Sequence, residues 1–323
     1  MTRYKFNSVF KDEIHKYLDD KQRSGFDSNH FRSNLIGFDR FCDDMGLTEP
    51  IFTSHQAALW IEKRKSECHT THYSRINATK HFLRYLSIKG YDVFPVKDIK
   101  YKGTDFVPHI YTTDETQRYF AAVDNCSSRR NKYDAIQYPV LFRIMYCCGT
   151  RINETLSIRR KDVDLEKGII LLNEAKNNKQ RYVVAGDDLK QLINAYANKC
   201  FYRLNDEDYI FVNTNGGRLD AKTVYEKHRD FLLQAGIPFL GNNKGPRIHD
   251  WRHTMAVYSF KQLTDSGLDM YVALPILSAY LGHKTILATE HYVRLTLQLF
   301  PYFEEKFKGM VDGIFGGAAH EDN

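Results

Sequence analysis

The chain has 323 residues, which is long enough for two domains that each bury a hydrophobic core. Its 42% hydrophobic and 14% aromatic residues argue against a disordered protein, and no apolar run reaches the roughly 18 residues of a membrane span. The 46 Lys and Arg against 40 Asp and Glu give a formal charge of +6, which is weak support for a nucleic-acid partner. Six cysteines without a CxxC pair suggest neither a disulfide framework nor a thiolate zinc site, so we expect a protein of the reducing cytoplasm.

Residues 1–92 are predicted to form a helical domain. Between residues 30 and 46 apolar side chains recur at spacings of three and four, which indicates an amphipathic helix. Thr53 can cap the next helix, and a longer helix is predicted over residues 71–90. One face of this last helix carries polar residues that either contact nucleic acid or are simply solvated: His72, Arg75, Lys80 and Arg84.

Basic residues are concentrated around the end of this domain. Residues 61–103 hold ten Lys and Arg against four Asp and Glu, whereas the other 280 residues are balanced at 36 against 36. Overlapping the end of this region, residues 93–111 contain two prolines, a glycine and several lysines without a helical period. We therefore predict an interdomain linker there, whose lysines either follow a DNA backbone or merely belong to a connector.

Residues 112–323 are predicted to form a second, mixed domain. Thr112 begins a helix with a capping signature, Pro139 suits the first turn of the next helix, and Gly149 suits its end. Three short β-branched runs between residues 162 and 186, separated by EKG and NNK turns, predict a small antiparallel sheet. Helical patterns then cover residues 187–200, 222–234, 248–265, 272–282 and 285–295.

The stretch HDWRHT, residues 249–254, has two chemical interpretations. It is close to the zinc-protease pattern HExxH, but Asp250 is one methylene shorter than the glutamate that activates water in that pattern. A zinc site would also need a third ligand, for which His283 and His291 are candidates only by residue type. Alternatively, His249 and Arg252 lie three apart on one helix face, where a guanidinium and an imidazole can reach one phosphate.

Other residues suited to phosphate chemistry lie elsewhere in the second domain. Arg151 follows Gly149 by two residues, and Glu154 is placed to fix its guanidinium. Lys176 lies in the predicted hairpin turn, His283 follows a glycine, and Tyr292 comes nine residues later. Taken singly, each has an ordinary explanation as an ion pair, a solvated turn residue or a core aromatic.

In combination, the order Arg, Lys, His-x-x-Arg, Gly-His and Tyr resembles the tyrosine recombinase family, the phage integrases and Xer-type recombinases. The resemblance covers about residues 135–296. It implies a mainly α fold: an N-terminal helical core-binding (SAM-like) domain and an α+β catalytic domain with a small antiparallel sheet, closed on duplex DNA as a C-shaped clamp. Trp251 stands where relatives commonly carry leucine, so its indole is expected to pack in the core, and His253 is expected to point away from the site.

The resemblance implies a site-specific DNA recombinase that cuts and rejoins DNA without a metal, ATP or another cofactor. Tyr292 would attack the scissile phosphate, forming a 3′-phosphotyrosyl bond and freeing a 5′-hydroxyl. The other roles implied are these: Arg151 and Arg252 clamp the non-bridging oxygens, His283 donates to them, His249 accepts the phenol proton, Lys176 (or Lys179) protonates the leaving oxygen, and Glu154 orients Arg151.

The expected partners are duplex recombination sites and further copies of the chain. The DNA-binding candidates of the first domain and linker are Arg75, Lys80, Arg84, Lys97, Lys100 and Lys102. By resemblance, we expect a tetramer on synapsed DNA whose subunits exchange a C-terminal helix. The apolar residues of that helix are Leu297, Phe300, Phe303, Phe307 and Val311. We also expect an accessory directionality factor, nucleoid association on DNA, and a role in a phage or transposon. The alternatives are a catalytically silent DNA-binding protein of this fold and a type IB topoisomerase, whose tyrosine often follows Ser-Lys-x-x, unlike Tyr292.

Overall fold

The computed structural model describes residues 4–26, 28–101, 107–127, 131–173, 180–239, 241, 245–283 and 285–300. The chain divides into two compact units, Met1–Phe106 and Val107–Asn323. The division lies inside the predicted linker, residues 93–111. Among the helices in the described ranges, none combines the length and the apolar character that a membrane span requires.

The described part of the first unit is helical, as predicted. Thr53 caps the third helix through a capping box with Gln56, which confirms the N-terminus expected there. Fully buried aromatic rings, among them Phe10, Phe38 and Phe82, fill the core between the helices. The helices are α1 (Lys11–Arg23), α2 (Ser28–Asp44), α3 (Ser54–Ile61) and α4 (His69–Ile88).

The start of the predicted linker belongs structurally to the first unit. Val93 forms a parallel bridge with Phe52, and Val96 is buried in the same core as the helices. Farther along, Asp98 pairs with Lys80 on α4, and the carbonyl of Lys100 lies 3.0 Å from a ring nitrogen of His69. This stretch is therefore anchored along α4 and is not a free connector.

Arg75 requires a correction. It was expected on a basic, DNA-facing surface, but its side chain is only 5% exposed. Its guanidinium forms a bidentate pair with Glu67 and donates to the carbonyls of Trp60 and Glu62, where α3 ends. Because the last carbonyls of a helix lack partners within the helix, Arg75 satisfies them from α4. Its role here is to hold α3 to α4. His72, assigned to the same face, is also buried.

The other basic candidates of the first unit fit the prediction of DNA binding to different degrees. Arg84, Lys97 and Lys100 are exposed. Lys80 is partly exposed and pairs with Asp98, whereas Lys102 lies outside the described residues. DNA contact by these residues therefore stays a prediction.

The second unit is mostly helical with one small sheet, which confirms the predicted fold class. Its three strands, β1 (Val163–Asp164), β2 (Ile169–Asn173) and β3 (Gln180–Val184), pair antiparallel in the order β1-β2-β3, with Leu171 opposite Tyr182. The helices are α5 (Thr113–Asp124), α6 (Asp134–Cys147), α7 (Ile152–Leu156), α8 (Asp187–Cys200), α9 (Ala221–Gln234), α10 (Asp250–Asp265), α11 (Met270–Leu281) and α12 (Leu287–Leu299).

Most predicted helix boundaries lie close to those observed, but α12 extends to Leu299 instead of ending at residue 295, and α6 begins earlier than expected. Thr112 caps α5 with Glu115 through the expected capping box. Pro139 was expected in a first helical turn, but α6 begins five residues earlier at Asp134. Pro139 lies inside α6, most of whose residues are buried, so packing outweighs the hydrogen bond that the proline removes.

Trp251 on α10 lies at the centre of the second unit, as expected. Its indole is fully buried and stacks on Tyr111, with ring centroids 3.7 Å apart and an interplanar angle of 2°. The rings of Tyr119 and Phe120, both from α5, pack around it at 4.7 and 5.3 Å. The end of the predicted linker, at Tyr111, is therefore part of the core that supports the N-terminus of α10.

Truncating this indole is expected to destabilise the second unit strongly. Trp251→Ala should lower its free energy of unfolding by about 3–5 kcal/mol, since a large cavity would be left among close-packed aromatic rings. The measurement is hydrogen exchange of the buried amides in β2, which reports the opening of this unit. Tyr202→Ala, at a ring that is 70% exposed, is the control and should change stability by less than about 0.5 kcal/mol. A loss below about 1 kcal/mol for Trp251→Ala would contradict the packing argument.

Candidate active site

The first part of the site is the turn between α6 and α7. Gly149 has a φ of 58°, in the left-handed region that favours glycine, and a Cβ there would meet Leu281 at 3.0 Å. Two residues later, Arg151 donates to Glu154 from its main-chain N–H at 2.9 Å and from its guanidinium at 2.5 Å. The ion pair expected between Arg151 and Glu154 is thus present.

Arg181 on β3 also binds Glu154, and sequence reasoning missed it. Its Nη1 and Nη2 donate to the two carboxylate oxygens at 3.1 and 2.8 Å, so Glu154 lies between two guanidinium groups. The alternation of side chains along β3 places Arg181 on the same face as Val183, which is fully buried. A charged residue on the inward face of a strand needs a buried partner of opposite charge, and that was the available signal.

Arg252 on α10 joins two other parts of the chain. Its Nη1 donates to the carbonyl of Gly149 at 2.5 Å, and its Nη2 donates to the carbonyl of Leu281 at 2.6 Å. These carbonyls lie at the C-terminal ends of α6 and α11, where helices leave acceptors unsatisfied and carry partial negative charge. The almost fully buried guanidinium is thereby fixed between the Arg151 turn and the turn that precedes His283.

The residues of HDWRHT are arranged in a way that does not suit the zinc-protease interpretation. Asp250, which would have to activate water, accepts hydrogen bonds from the main-chain N–H groups of Arg247 at 2.8 Å and His109 at 3.3 Å, and it is fully buried. Its carboxylate therefore accepts hydrogen bonds from the main chain around the start of α10 and is not placed to activate water. In the chain as described, no three His, Cys, Asp or Glu side chains form a group that could hold a metal ion.

Tyr292 lies on α12 between two imidazole rings. His283 is nearly parallel to it, with centroids 6.0 Å apart and an interplanar angle of 12°, and its Nδ1 lies 2.8 Å from the hydroxyl of Thr289. On another side, the ring of His253 lies 5.5 Å from that of Tyr292. The expectation that His253 points away from the site is therefore wrong, because a histidine one turn into α10 reaches the packed face of α12. Tyr292 itself is only 3% exposed.

The pKa shifts show that these groups form one electrostatic cluster. Burial lowers the pKa of Arg252 to about 10, with a further lowering by Arg151, while Tyr292 and Glu154 act in the opposite sense. Burial raises the pKa of Tyr292, although the charge and hydrogen bonding of Arg252 oppose this. Burial and then the charge of Arg252 lower the pKa of His283 to about 4. The same causes lower the pKa of His249, so both imidazoles are neutral at pH 7.

A cavity of about 430 Å³ adjoins the N-terminus of α10. Its walls include His249, His253 and Arg247, with Tyr225 and Phe239 providing aromatic surface. The cavity has both basic and apolar walls. Lys176 and Lys179, the predicted proton donors of the hairpin turn, lie outside the described residues.

The charge balance of the site favours an anionic ligand. The guanidinium groups of Arg151 and Arg181 pair with the carboxylate of Glu154, and the buried guanidinium of Arg252 lies beside Tyr292, so positive charge exceeds negative charge among these residues. Guanidinium groups bind phosphate oxygens in pairs, and a tyrosine hydroxyl is a nucleophile for phosphate once its proton is removed.

The carboxylate of Glu154 gives a testable pH dependence of stability. Burial by itself raises its pKa, but hydrogen bonds from Arg181 and from the Arg151 N–H outweigh this and lower the pKa from 4.5 to about 2. A lowered folded-state pKa contributes stability that is present above about pH 4.5 and is lost as the pH falls through about 2, here roughly 3 kcal/mol. The stability difference between wild type and Glu154→Gln, from urea unfolding, should therefore shrink across this window. A difference that stays constant over the same window would contradict this account of Glu154.

The sequence was compared with known protein families. The profile described as the phage integrase family matches residues 110–298, which is more than half of the chain and includes every residue of the site described above. This protein belongs to the phage integrase family.

Individual relatives of this phage integrase family member agree with the assignment. The chain is 24% identical over 295 residues to y4rB of Sinorhizobium fredii, provisionally named an integrase/recombinase, covering 88% of this chain and 93% of that protein. It is 27% identical over 237 residues to the tyrosine recombinase XerA of Saccharolobus solfataricus, covering 73% and 67%. The predicted membership of the tyrosine recombinase family is thus confirmed.

The fold is also shared with a solved structure. The XerH site-specific recombinase, bound to palindromic difH substrate in a post-cleavage complex, superimposes with a TM-score of 0.65 at 18% identity, covering 86% of this chain and 78% of that one. At this level of identity the comparison establishes the fold alone.

Proposed function

We propose that this protein is a site-specific DNA recombinase that cuts and rejoins duplex DNA through a covalent bond to Tyr292. The observation that carries the proposal is the placement of buried Tyr292 beside Arg252, whose guanidinium is bound to the turn of Arg151, while Arg151 and Arg181 share the carboxylate of Glu154. A phosphodiester gains negative charge as a nucleophile attacks it, and fixed cations in a site of low dielectric stabilise that charge strongly.

In the proposed reaction, the oxygen of Tyr292 attacks the phosphorus atom of the scissile phosphodiester. The phenol proton goes to an imidazole at the start of α10, a 3′-phosphotyrosyl bond forms, and the bond to the 5′-oxygen breaks. His249 is the acceptor implied by the family resemblance, and His253 is the imidazole of α10 whose ring contacts Tyr292. Burial lowers the pKa of His249, which favours the neutral ring that can accept a proton.

The remaining roles follow from the positions of the cations. Arg151 and Arg252 would bind the non-bridging oxygens, and His283, which lies against Tyr292, would donate a further hydrogen bond to them. Glu154 holds Arg151 in place. Lys176, with Lys179 as the second candidate in the same turn, would protonate the leaving 5′-oxygen. Because the phosphotyrosyl bond retains the energy of the broken bond, rejoining by the freed 5′-hydroxyl requires neither ATP nor a metal ion.

The proposed partners are duplex DNA and further copies of the chain. Exposed Arg84, Lys97 and Lys100 of the first unit are suited to the phosphate backbone, where such contacts supply affinity that falls steeply with salt. We further propose a tetramer on paired sites, joined by the C-terminal helix, and a mobile element as the source of the DNA. Of that helix, Phe300 packs on Tyr258 of its own chain, whereas Phe303, Phe307 and Val311 lie outside the described residues.

The proposal is tested by trapping the covalent intermediate. The full-length protein is incubated with a pool of nicked duplexes of randomised sequence, in which cleavage beside the nick releases a short fragment and prevents rejoining. DNA that stays attached to protein after denaturation is recovered and sequenced. We expect a single enriched core sequence and an adduct that forms equally with and without EDTA.

Two other results would replace the proposal with its alternatives. Salt-sensitive binding without any adduct would indicate a silent DNA-binding protein of this fold. Adducts at unrelated sequences, together with relaxation of any supercoiled plasmid, would indicate a type IB topoisomerase.

A further inference from the structure

Arg181 connects parts of the site that are far apart in the sequence. Its guanidinium forms two hydrogen bonds with Glu154, at 3.1 and 2.8 Å, and its side chain is only 12% exposed. The same carboxylate accepts the guanidinium of Arg151 at 2.5 Å and the Arg151 N–H at 2.9 Å. One carboxylate therefore binds two arginines, one of them near the start of β3 and the other at the start of α7.

The aliphatic part of Arg181 makes a second connection. Gly282 ends α11 with a φ of 68°, and a Cβ at this position would lie 3.1 Å from the Cδ of Arg181. The chain on either side of Gly282 supplies the Leu281 carbonyl that holds Arg252 and the imidazole of His283 beside Tyr292. Arg181 thus lies between the Arg151 turn and the His283 turn and contacts both.

We propose that Arg181 is a positioning residue that keeps the Arg151 guanidinium available for phosphate by sharing the carboxylate of Glu154. This inference rests on the proposed function. With Arg181 present, the negative charge of Glu154 is shared between the guanidinium groups of Arg181 and Arg151. Glu154 therefore orients Arg151 without fully neutralising its positive charge. With Arg181 removed, Glu154 pairs with Arg151 alone, and an incoming phosphate has to compete with a full carboxylate charge.

A purely structural role predicts a different result from the one expected here. If Arg181 only stabilised the fold, its loss would lower stability and DNA binding together, and the rate of the covalent step at saturating protein would stay near that of wild type. If it divides the charge of Glu154, its loss should slow the covalent step most strongly while Glu154 is charged. It should have little effect once Glu154 is made neutral. Residues in direct contact show such coupling, whereas independent residues give additive effects.

The experiment is a double-mutant cycle on the full-length protein. The variants are Arg181→Gln, Arg181→Lys, Glu154→Gln and the double variant Arg181→Gln/Glu154→Gln. In the double variant, no buried carboxylate is left without its arginine partner. For each, the rate of adduct formation is measured at saturating protein on the suicide duplex selected from the random pool. The dissociation constant for the same duplex and the melting temperature are measured separately. Arg159→Gln, at an exposed ion pair with Glu207 in the same unit, is the matched control.

We expect Arg181→Gln to slow adduct formation by about 30-fold with a dissociation constant within about threefold of wild type. Arg181→Lys should recover part of the rate, since lysine keeps the charge but not the bidentate geometry. In the Glu154→Gln background the same Arg181→Gln change should cost less than about threefold. Arg159→Gln should leave the rate unchanged.

The inference is wrong if the two single effects multiply in the double variant, or if rate, affinity and melting temperature fall together. These results are separate from a failure of the proposed function. If the wild-type protein forms no adduct that depends on Tyr292, the proposed function fails, and the positioning role fails with it. If a Tyr292-dependent adduct forms and Arg181→Gln forms it as fast as wild type, only the role of Arg181 is lost.

Discussion

Tyr292→Phe is expected to abolish the covalent adduct while leaving DNA binding nearly intact. The substitution removes only the hydroxyl, so the ring keeps its contacts with His253 and His283. Without the proposed nucleophile, adduct formation should fall by at least about 10³-fold. Affinity should stay within about threefold, because phosphate contacts elsewhere supply most of it. The stability loss should be no more than about 1–2 kcal/mol, the usual contribution of one buried hydrogen bond.

The measurement is a denaturing gel of protein and labelled suicide duplex, with a binding titration of the same samples. Tyr258→Phe is the matched control, since Tyr258 lies on neighbouring α10 and its ring packs on Phe300. It should form adduct at the wild-type rate. An adduct that persists in Tyr292→Phe would show that another residue attacks the phosphate, and the proposed mechanism would have to be abandoned.

Features that depend on neighbouring residues were predictable from the sequence. The capping box of Thr112 and Glu115 and the boundaries of α8 follow from side chains within one or two helical turns. The ion pair of Arg151 with Glu154 is of the same kind, since the two residues are three apart. Local spacing carries this information because the geometry of a helix or turn fixes which side chains can meet.

Features that depend on distant segments were not predictable. Arg75 was assigned to the surface because helical periodicity places it on a polar face, but the turn after α3 brings Glu67 and two carbonyls over that face. Arg181 meets Glu154 across 27 residues, and Arg252 meets the Gly149 carbonyl across 103 residues. Which acceptor a buried guanidinium finds is decided by tertiary packing, and no pattern in one segment encodes it.

Arg252→Lys is expected to reduce adduct formation by about 10²–10³-fold at saturating protein, as typical for the loss of one preorganised donor to a transition-state oxygen. The guanidinium bridges the carbonyls of Gly149 and Leu281, which a single ammonium cannot do in the same geometry. Two hydrogen bonds from a charged group are affected, so stability should also fall, by about 2–4 kcal/mol. The rate is therefore measured well below the melting temperature of the variant.

Arg203→Lys is the control, because that arginine lies on the surface, and its rate should equal that of wild type. The salt dependence of DNA binding provides a second measure, since a lost phosphate contact reduces its slope by about one. If Arg252→Lys keeps the adduct rate within about fivefold of wild type, its guanidinium is only a bridge between the ends of α6 and α11. Stabilisation of the phosphate would then depend on Arg151, and on Arg181 through the carboxylate of Glu154.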